Sequence, residues 1–275
     1  MALEIYIRRY PAQERNLMYY PIQVPYILNS NFSKHISYSE EVVPSLQNFV
    51  MCVWEMQPRS TERTSVTNVI VADGCIDLVV DYTNRQIGFA GMSKTNFHFT
   101  IELPTKFLGV RLKPGAFEQL TGLPAKKAMD TFLPLEGIDP NFDANDFFSL
   151  SFEQTKEHLN AYLHKFTGDK IPNSFVNLFD SLSKNPPSTT AELYQRLHFS
   201  PRQSQRLFMK HFGIPPQMAL SILRFQYCLD VLTSGRAMPS DILGLATYYD
   251  QSHFIKDFKR NIGLTPFEYL RKYKE

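Results

Sequence analysis

The sequence predicts an α+β chain in two unlike parts, a β-rich front that closes as a small barrel or a sandwich and an all-α back third. Three observations carry that prediction. Short β-branched and alternating runs between residues 67 and 112 are separated by turn residues. From Ser174 onward the pattern is helical, punctuated at Pro186-Pro187, Ser200-Pro201, Pro215-Pro216, Gly235, Pro239 and Pro266. The back third also repeats itself at an offset of 50 residues, so that Leu193 falls on Leu243, Lys210 on Arg260, Phe208 on Phe258, Gly213 on Gly263, Ile214 on Leu264, Pro216 on Pro266 and Leu220 on Leu270.

The strands come first. Runs 67–72 and 75–82 are joined by Asp73-Gly74, a strong hairpin signal. Runs 97–103 and 107–112 alternate with period two, and Pro114-Gly115 ends the second before a short helix over 116–120. Around residues 139–146 the strand signals stop. Phe152, Thr155, Leu159, Tyr162, Leu163 and Phe166 then share one helical stripe, and residues 167–172 read as a stop. Seven short helices are expected between 173 and 273. The expected organisation is therefore 1–140 β-rich, 141–172 a helical linker and 173–275 a doubled helical unit.

Composition narrows the class. At roughly 150 residues per domain, 275 residues suggest two domains, and 43% apolar with 13% aromatic residues excludes a disordered chain. No apolar run approaches the ~20 residues of a membrane span, and the start lacks a hydrophobic signal core, so a cytoplasmic protein with no membrane partner is expected. Cys52, Cys75 and Cys228 form no C-x-x-C pair, which argues against a disulfide framework or zinc cluster. Residues 1–170 hold 16 Lys+Arg against 19 Asp+Glu, and residues 171–275 hold 13 against 8. Only the back third suits a polyanion.

Each repeat reads as a helix, a tight turn, a second helix, a glycine and a proline-started helix, the pattern of a helix-turn-helix whose second helix enters a major groove. At about 100° per residue, the first such helix places Ser204, Leu207, Phe208 and His211 on one face and Arg202, Gln205, Arg206 and Met209 on the other. Guanidinium groups suit guanine and an amide suits adenine, so Arg202, Gln205 and Arg206 are candidates to read bases, with Gln203 on the flank. The second copy buries Phe254 and Phe258 and offers Gln251, Ser252, His253 and Lys256, with Ile255 able to touch a thymine methyl. His253 suits a phosphate or a turn cap better than a base. Lys210, Lys259 and Arg260 are candidates to neutralise phosphates, and Arg224 to pair internally. One basic amphipathic helix is usually just solvated. Two in register favour DNA.

These residues resemble a known family. The run 200–208, Phe212-Gly213-Ile214-Pro215-Pro216 and Leu223-Arg224-Phe225-Gln226 are similar to the first half of an AraC/XylS-type DNA-binding domain. Residues 248–260, closed by Gly263-Leu264-Thr265-Pro266, are similar to its second half. The resemblance covers about 174–273. It implies a seven-helix, sequence-specific transcription regulator with two reading helices in successive major grooves, the helix from Pro216 to Thr233 setting their spacing. Two positions depart from the pattern. Ser204 stands where a large apolar residue is usual, so looser packing is expected, and Lys256 stands where arginine is common, which favours phosphate over base contact. In front, Trp54, residues 73–78 and residues 109–116 resemble an uncharacterised β-rich domain of some of these regulators, which implies a cupin-like sensor or dimerisation role. The partners so implied are double-stranded DNA, a small-molecule effector or a second copy of the chain, and RNA polymerase for an activator.

Alternatives remain in the front half. Asp73-Gly74 reads as a turn before a ligand site. Trp54 with Tyr19, Tyr20 and Tyr26 can line an effector pocket or fill a core. Arg111 can meet an acidic effector, but pairing with Asp77 or Glu102 is preferred. A Cys52–Cys75 redox pair is the lesser reading. A cupin-type enzyme needs clustered histidines, yet His35 and His98 stand alone before residue 158. No catalytic, metal or cofactor site is expected.

Overall fold

The computed structural model describes residues 18–23, 30–92, 96–236, 248 and 250–274. A short helix α1 (Ser30–His35) leads into strands β1 (Ile36–Glu41), β2 (Val50–Pro58), β3 (Thr64–Ile70), β4 (Asp77–Asp81), β5 (Gln86–Ala90), β6 (Phe97–Leu103) and β7 (Phe107–Leu112). Helix α2 (Ala116–Thr121), strand β8 (Phe132–Pro134) and helices α3 (Ala144–Phe147) and α4 (Phe152–Thr167) follow. The strands form a six-stranded antiparallel sheet, ordered β1-β2-β7-β4-β5-β8, and a separate ribbon of β3 with β6. The β-rich front followed by a helical back is the fold class expected.

Strand pleating sorts the large sheet into two faces, because successive side chains alternate. Leu78 and Val80 of β4 with Leu108, Val110 and Leu112 of β7 enter one core. Asp77, Val79, Phe107 and Arg111, one position out of step, line a cavity that β3 and β6 also wall. Helix α4 starts on a capping box of Ser151 and Gln154. It places Phe152, Leu159 and Leu163 in the first core, so part of 141–172 packs as front-domain structure.

The Asp73-Gly74 expectation is corrected. β3 pairs with β6 over its whole length, from Thr64 opposite Leu103 to Ile70 opposite Phe97. β4 pairs with β5 and β7 instead. The turn therefore carries the chain from one sheet to the other. Hairpin chemistry is local, and pairing choice is not.

The helical part comprises α5 (Leu178–Ser183), α6 (Thr190–Leu197), α7 (Pro201–His211), α8 (Pro216–Thr233), α9 (Gln251–Ile262) and α10 (Pro266–Lys274). The helix expected after Pro239, with Leu243, lies outside the described residues. The repeat persists in three dimensions, since α7 and α9 begin 50 residues apart. Phe208 and Phe258 are fully buried, and Pro216 and Pro266 open the next helices. Gly213 and Gly263 both end their turns at positive φ, +75° and +81°. Gly213 is doubly constrained, because a Cβ there would sit 2.9 Å from the carbonyl oxygen of Ala125 in the front half.

Helix α8 is buried nearly all round, as a helix apolar on every side must be. Its first half (Ala219, Leu220, Ile222, Leu223) shares a core with Phe208, Phe212 and Phe179, and with Met51, Ala72 and Cys75 of the front half. Its second half (Phe225, Cys228, Leu229, Leu232) shares another with Tyr248, Phe254, Phe258 and Tyr269. One rod thus seats both repeats, and the front packs on both, with Val71 entering the second core.

Candidate nucleic-acid interface and front-domain cavity

Helix α7 is fixed at its start by a second capping box, in which Ser200 Oγ accepts from the Gln203 backbone and the Ser200 N–H donates to Gln203 Oε1 at 3.0 Å. Gln203 is exposed, but its amide oxygen is committed to that cap. Arg202, Gln205 and Arg206 stand exposed on the face opposite buried Ser204, Phe208 and His211. Leu207 and Met209 are half-buried, so Leu207 belongs to the flank rather than to the core. Ser204 is fully buried, and its Oγ has no hydrogen-bond partner among the described residues.

Helix α9 is capped by Asp250, whose Oδ1 accepts from the His253 N–H at 2.7 Å. Gln251, Ser252, His253, Lys256, Lys259 and Arg260 are exposed, and Ile255 is half-buried. The His253 ring stands edge-on to Tyr248 at 5.3 Å. Beneath this face lies a buried network around Asp257, which accepts from Ser221 Oγ at 2.7 Å, from the Tyr248 hydroxyl at 3.0 Å and from Arg260. Arg260 also donates to Ser221 at 2.6 Å. Its half-exposed guanidinium is thereby held in place.

A groove of about 480 Å³ runs between the repeats, lined by Ser188, Thr189 and Thr190 at the start of α6, by Gln217 and Arg224 of α8, and by His253, Lys256 and Arg260 of α9. Arg224 donates to the carbonyl oxygens of Pro187 (3.0 Å) and Ser188 and lies over the Tyr248 ring, so it pairs internally. The residues at the α6 N-terminus went unnoticed in the sequence, because a Ser-Thr-Thr cap looks the same on any helix.

One candidate, Lys210, is held by the molecule itself, as is its neighbour His211. Lys210 Nζ lies 3.0 Å from Glu118 Oε1 on α2, and His211 Nδ1 lies 2.9 Å from Glu118 Oε2, out of line for a good hydrogen bond. Burial pulls His211 below the ordinary imidazole range, Glu118 opposing and Lys210 assisting. Phe175 stacks on the His211 ring at 3.9 Å. The C-terminal end of α7 is therefore clamped to the front half.

The front-domain cavity has a volume of about 550 Å³, within the range of small-molecule sites. Trp54 and Arg111 both line it. The Trp54 indole lies over Gly109, where a Cβ would come within 1.9 Å of the ring, and its Nε1–H donates to Asp77 Oδ2 at 2.7 Å. Tyr38, Phe97, Phe99, Phe107 and Phe132 supply the other aromatic walls. The expected set differs. Tyr19 instead packs on Phe179 and donates to the Asp73 carbonyl oxygen at 2.8 Å. Tyr20 donates to Glu40, and Tyr26 lies outside the described residues.

Arg111 is buried and ringed by carboxylates, with Glu40 Oε1 at 3.1 Å, Asp77 Oδ1 at 3.6 Å and Asp73 Oδ2 at 3.8 Å. The pairing with Asp77 is as expected. Glu102 is exposed on the ribbon and takes no part. Glu40 was missed, since nothing local to β1 marks its carboxylate as the partner of a residue on β7. Burial, reinforced by Asp73, pushes Asp77 up to about 6, although Arg111 and the Trp54 hydrogen bond oppose the shift. Cys52 and Cys75 are buried and free, and burial raises both thiols above their ordinary range. No cluster among the described residues could hold a metal ion, and no described helix is long and apolar enough to cross a membrane.

Comparison with known proteins agrees with the back third. Residues 193–272 match the family model described as a helix-turn-helix domain, and residues 42–134 match one described as a domain of unknown function, DUF6597. Among solved structures, ToxT from Vibrio cholerae is similar over 86% of this chain and 98% of its own, at 10% identity and a TM-score of 0.37. ToxT bound to (E)-4-(8-methylnaphthalen-1-yl)but-3-enoic acid is similar over 87% and 100%, at 10% identity and a TM-score of 0.39. No curated protein sequence matches the chain. The back third is a helix-turn-helix domain of the AraC type, the DNA-binding part of a transcription regulator.

Proposed function

We propose that this chain, with its AraC-type helix-turn-helix domain, is a sequence-specific regulator that places α7 and α9 in successive major grooves and answers to a small molecule in the front cavity. The observation that carries the reading is the pair of exposed polar faces, Arg202-Gln205-Arg206 on α7 and Gln251-Ser252-Lys256 on α9, seated on the single helix α8. Arg206 and Gln205 have the donor geometry for guanine and adenine edges, and Arg202 flanks them. Gln203 is the weakest base reader of the set, because its oxygen already serves the cap. Lys256, Lys259 and Arg260, with the α6 N-terminus across the groove, suit phosphate oxygens.

The effector reading rests on connectivity. Ala72 and Asp73 form part of the cavity wall, and α8 is hydrogen-bonded to that wall through Gln226. A ligand that shifts the wall acts on the helix that sets the spacing of the reading heads. The Glu118 clamp on Lys210 and His211 is a second point of control.

Selection of random duplex DNA by the full-length protein tests the reading. An enriched site with two blocks about 10–11 base pairs apart is expected. If neither the full chain nor fragment 171–275 enriches any sequence, the proposal fails.

A further inference from the structure

Among the described residues the cavity lining carries four charged groups, Asp73, Asp77, Asp130 and Arg111. Glu40 stands behind them on Arg111. One guanidinium thus faces three carboxylates within 3.8 Å, which leaves an excess of negative charge at the closed end. The hydrogen-bond inventory leans the same way. Asp77 Oδ2 accepts from Trp54, but the nearest cation to Oδ1 is Arg111 Nε at 3.6 Å, beyond hydrogen-bond reach. Asn68 lines the same cavity with 3% of its surface exposed, and its buried Oδ1 has no hydrogen-bond partner among the described residues. Arg111 Nε, also buried, has no bonded acceptor among the described residues, but it already sits between two carboxylates. Buried acceptors without donors are costly and mark where a donor is missing.

The rest of the lining is aromatic. Phe97 and Phe99 stack at 5.9 Å on β6, and Trp54, Tyr38 and Phe107 face them. Aromatic faces attract cations and accept apolar bodies equally well. Phe97 and Phe132 are substantially exposed, which suits a mouth through which an apolar group passes. An anionic ligand meets the opposite situation, since Arg111, the only cation of the lining among the described residues, is already surrounded by carboxylates.

We infer that the cavity binds a hydrophobic amine in its protonated form, the ammonium donating to Asp77 Oδ1 and the acceptors beside it and the apolar body lying among the aromatic rings. This rests on the reading of the cavity as the effector site and reverses the acidic effector allowed by Arg111 in the sequence. Three probes with one skeleton test it, 4-phenylbutylamine, 4-phenylbutan-1-ol and 4-phenylbutanoate, titrated calorimetrically into the full-length protein near neutral pH. The amine is expected to bind about tenfold or more tighter than the alcohol, with the carboxylate weakest. Asp77→Asn should bring amine binding down to the level of the alcohol, and a cooperative thermal transition shows that the variant has folded. The ranking in the unmodified protein needs no variant. A carboxylate that binds as tightly as the amine, an amine advantage that survives Asp77→Asn, or no binding by any probe at millimolar concentration overturns the inference. Affinity for the selected DNA, measured with saturating amounts of whichever probe binds, separates the two readings. If the amine binds as expected and DNA affinity does not move, the ligand class stands and the effector role falls. If only the carboxylate binds and DNA affinity moves, the effector role stands and the ligand class falls.

Discussion

Gln226, on the helix that carries both reading heads, donates from Nε2 to the carbonyl oxygen of Ala72 in the cavity wall at 3.2 Å. Its Oε1 accepts from the Ile22 N–H at 2.7 Å, and its neighbour across the contact, Asp73, holds Gln23 at 2.6 Å. One buried amide therefore ties together the N-terminal segment, the cavity and α8. Gln226→Leu leaves a backbone donor and an acceptor unpaired, at a cost of about 1–3 kcal/mol each. The expected outcome is a lower denaturation midpoint, together with DNA binding that no longer responds to cavity ligands. Unaltered stability in denaturant titration counts against the contact.

Arg206 and Lys259 should separate by the kind of binding they lose. Arg206→Ala is expected to cost about 1–3 kcal/mol of discrimination at one base pair. Lys259→Ala should weaken all sequences alike and reduce the salt slope by about 1. Binding titrations on the selected site and on a scrambled duplex, across a range of salt, distinguish them. Equal and sequence-independent losses would remove Arg206 from the reading face.

Glu118 holds Lys210 and His211 against the front half. Glu118→Gln releases the lysine charge, and the protein should bind non-specific DNA more tightly with a salt slope steeper by about 1. An unchanged slope means that Lys210 meets no phosphate.

The folded-state value of Asp77, about 6, lies above the roughly 4 of an exposed aspartate. A carboxyl whose folded value is raised is penalised when ionised, so the penalty is full above about 6 and disappears as pH falls towards the unfolded value. Asp77→Asn keeps an oxygen for Trp54 and relieves the crowding of Asp73, Glu40 and Asp77 around Arg111. Thermal melts should show the variant more stable than the parent at neutral pH, with the difference shrinking below pH 6. A variant that is less stable at every pH would mean that the pairing with Arg111 outweighs the repulsion.

Ser204 places a hydroxyl with no hydrogen-bond partner among the described residues in the first repeat, at the position that Phe254 fills in the second. Ser204→Ala removes an unsatisfied buried group, whose desolvation is worth about 1–3 kcal/mol, and improves helix propensity. A higher melting temperature is expected, and a lower one would show that the hydroxyl is bonded.

The back third was legible in the sequence because its information is local or repeated. Helical period put Phe208 and Phe258 inward and Arg202, Gln205 and Arg206 outward, and Ser200-Pro201 marked the start of the first reading helix. Period-two alternation in β7 likewise separated Leu108, Val110 and Leu112 from Phe107 and Arg111. Tertiary structure alone decided the rest. Asp73-Gly74 looks like any hairpin turn, and only the pairing of β3 with β6 makes it a crossing between sheets. The ring around Arg111 takes Glu40 from β1, Asp73 from a loop and Asp77 from β4, and Gln226 reaches Ala72 across more than half the chain. Local periodicity determines which way a side chain points. Which distant groups it meets depends on strand order and helix docking, and those follow from burying the whole surface at once.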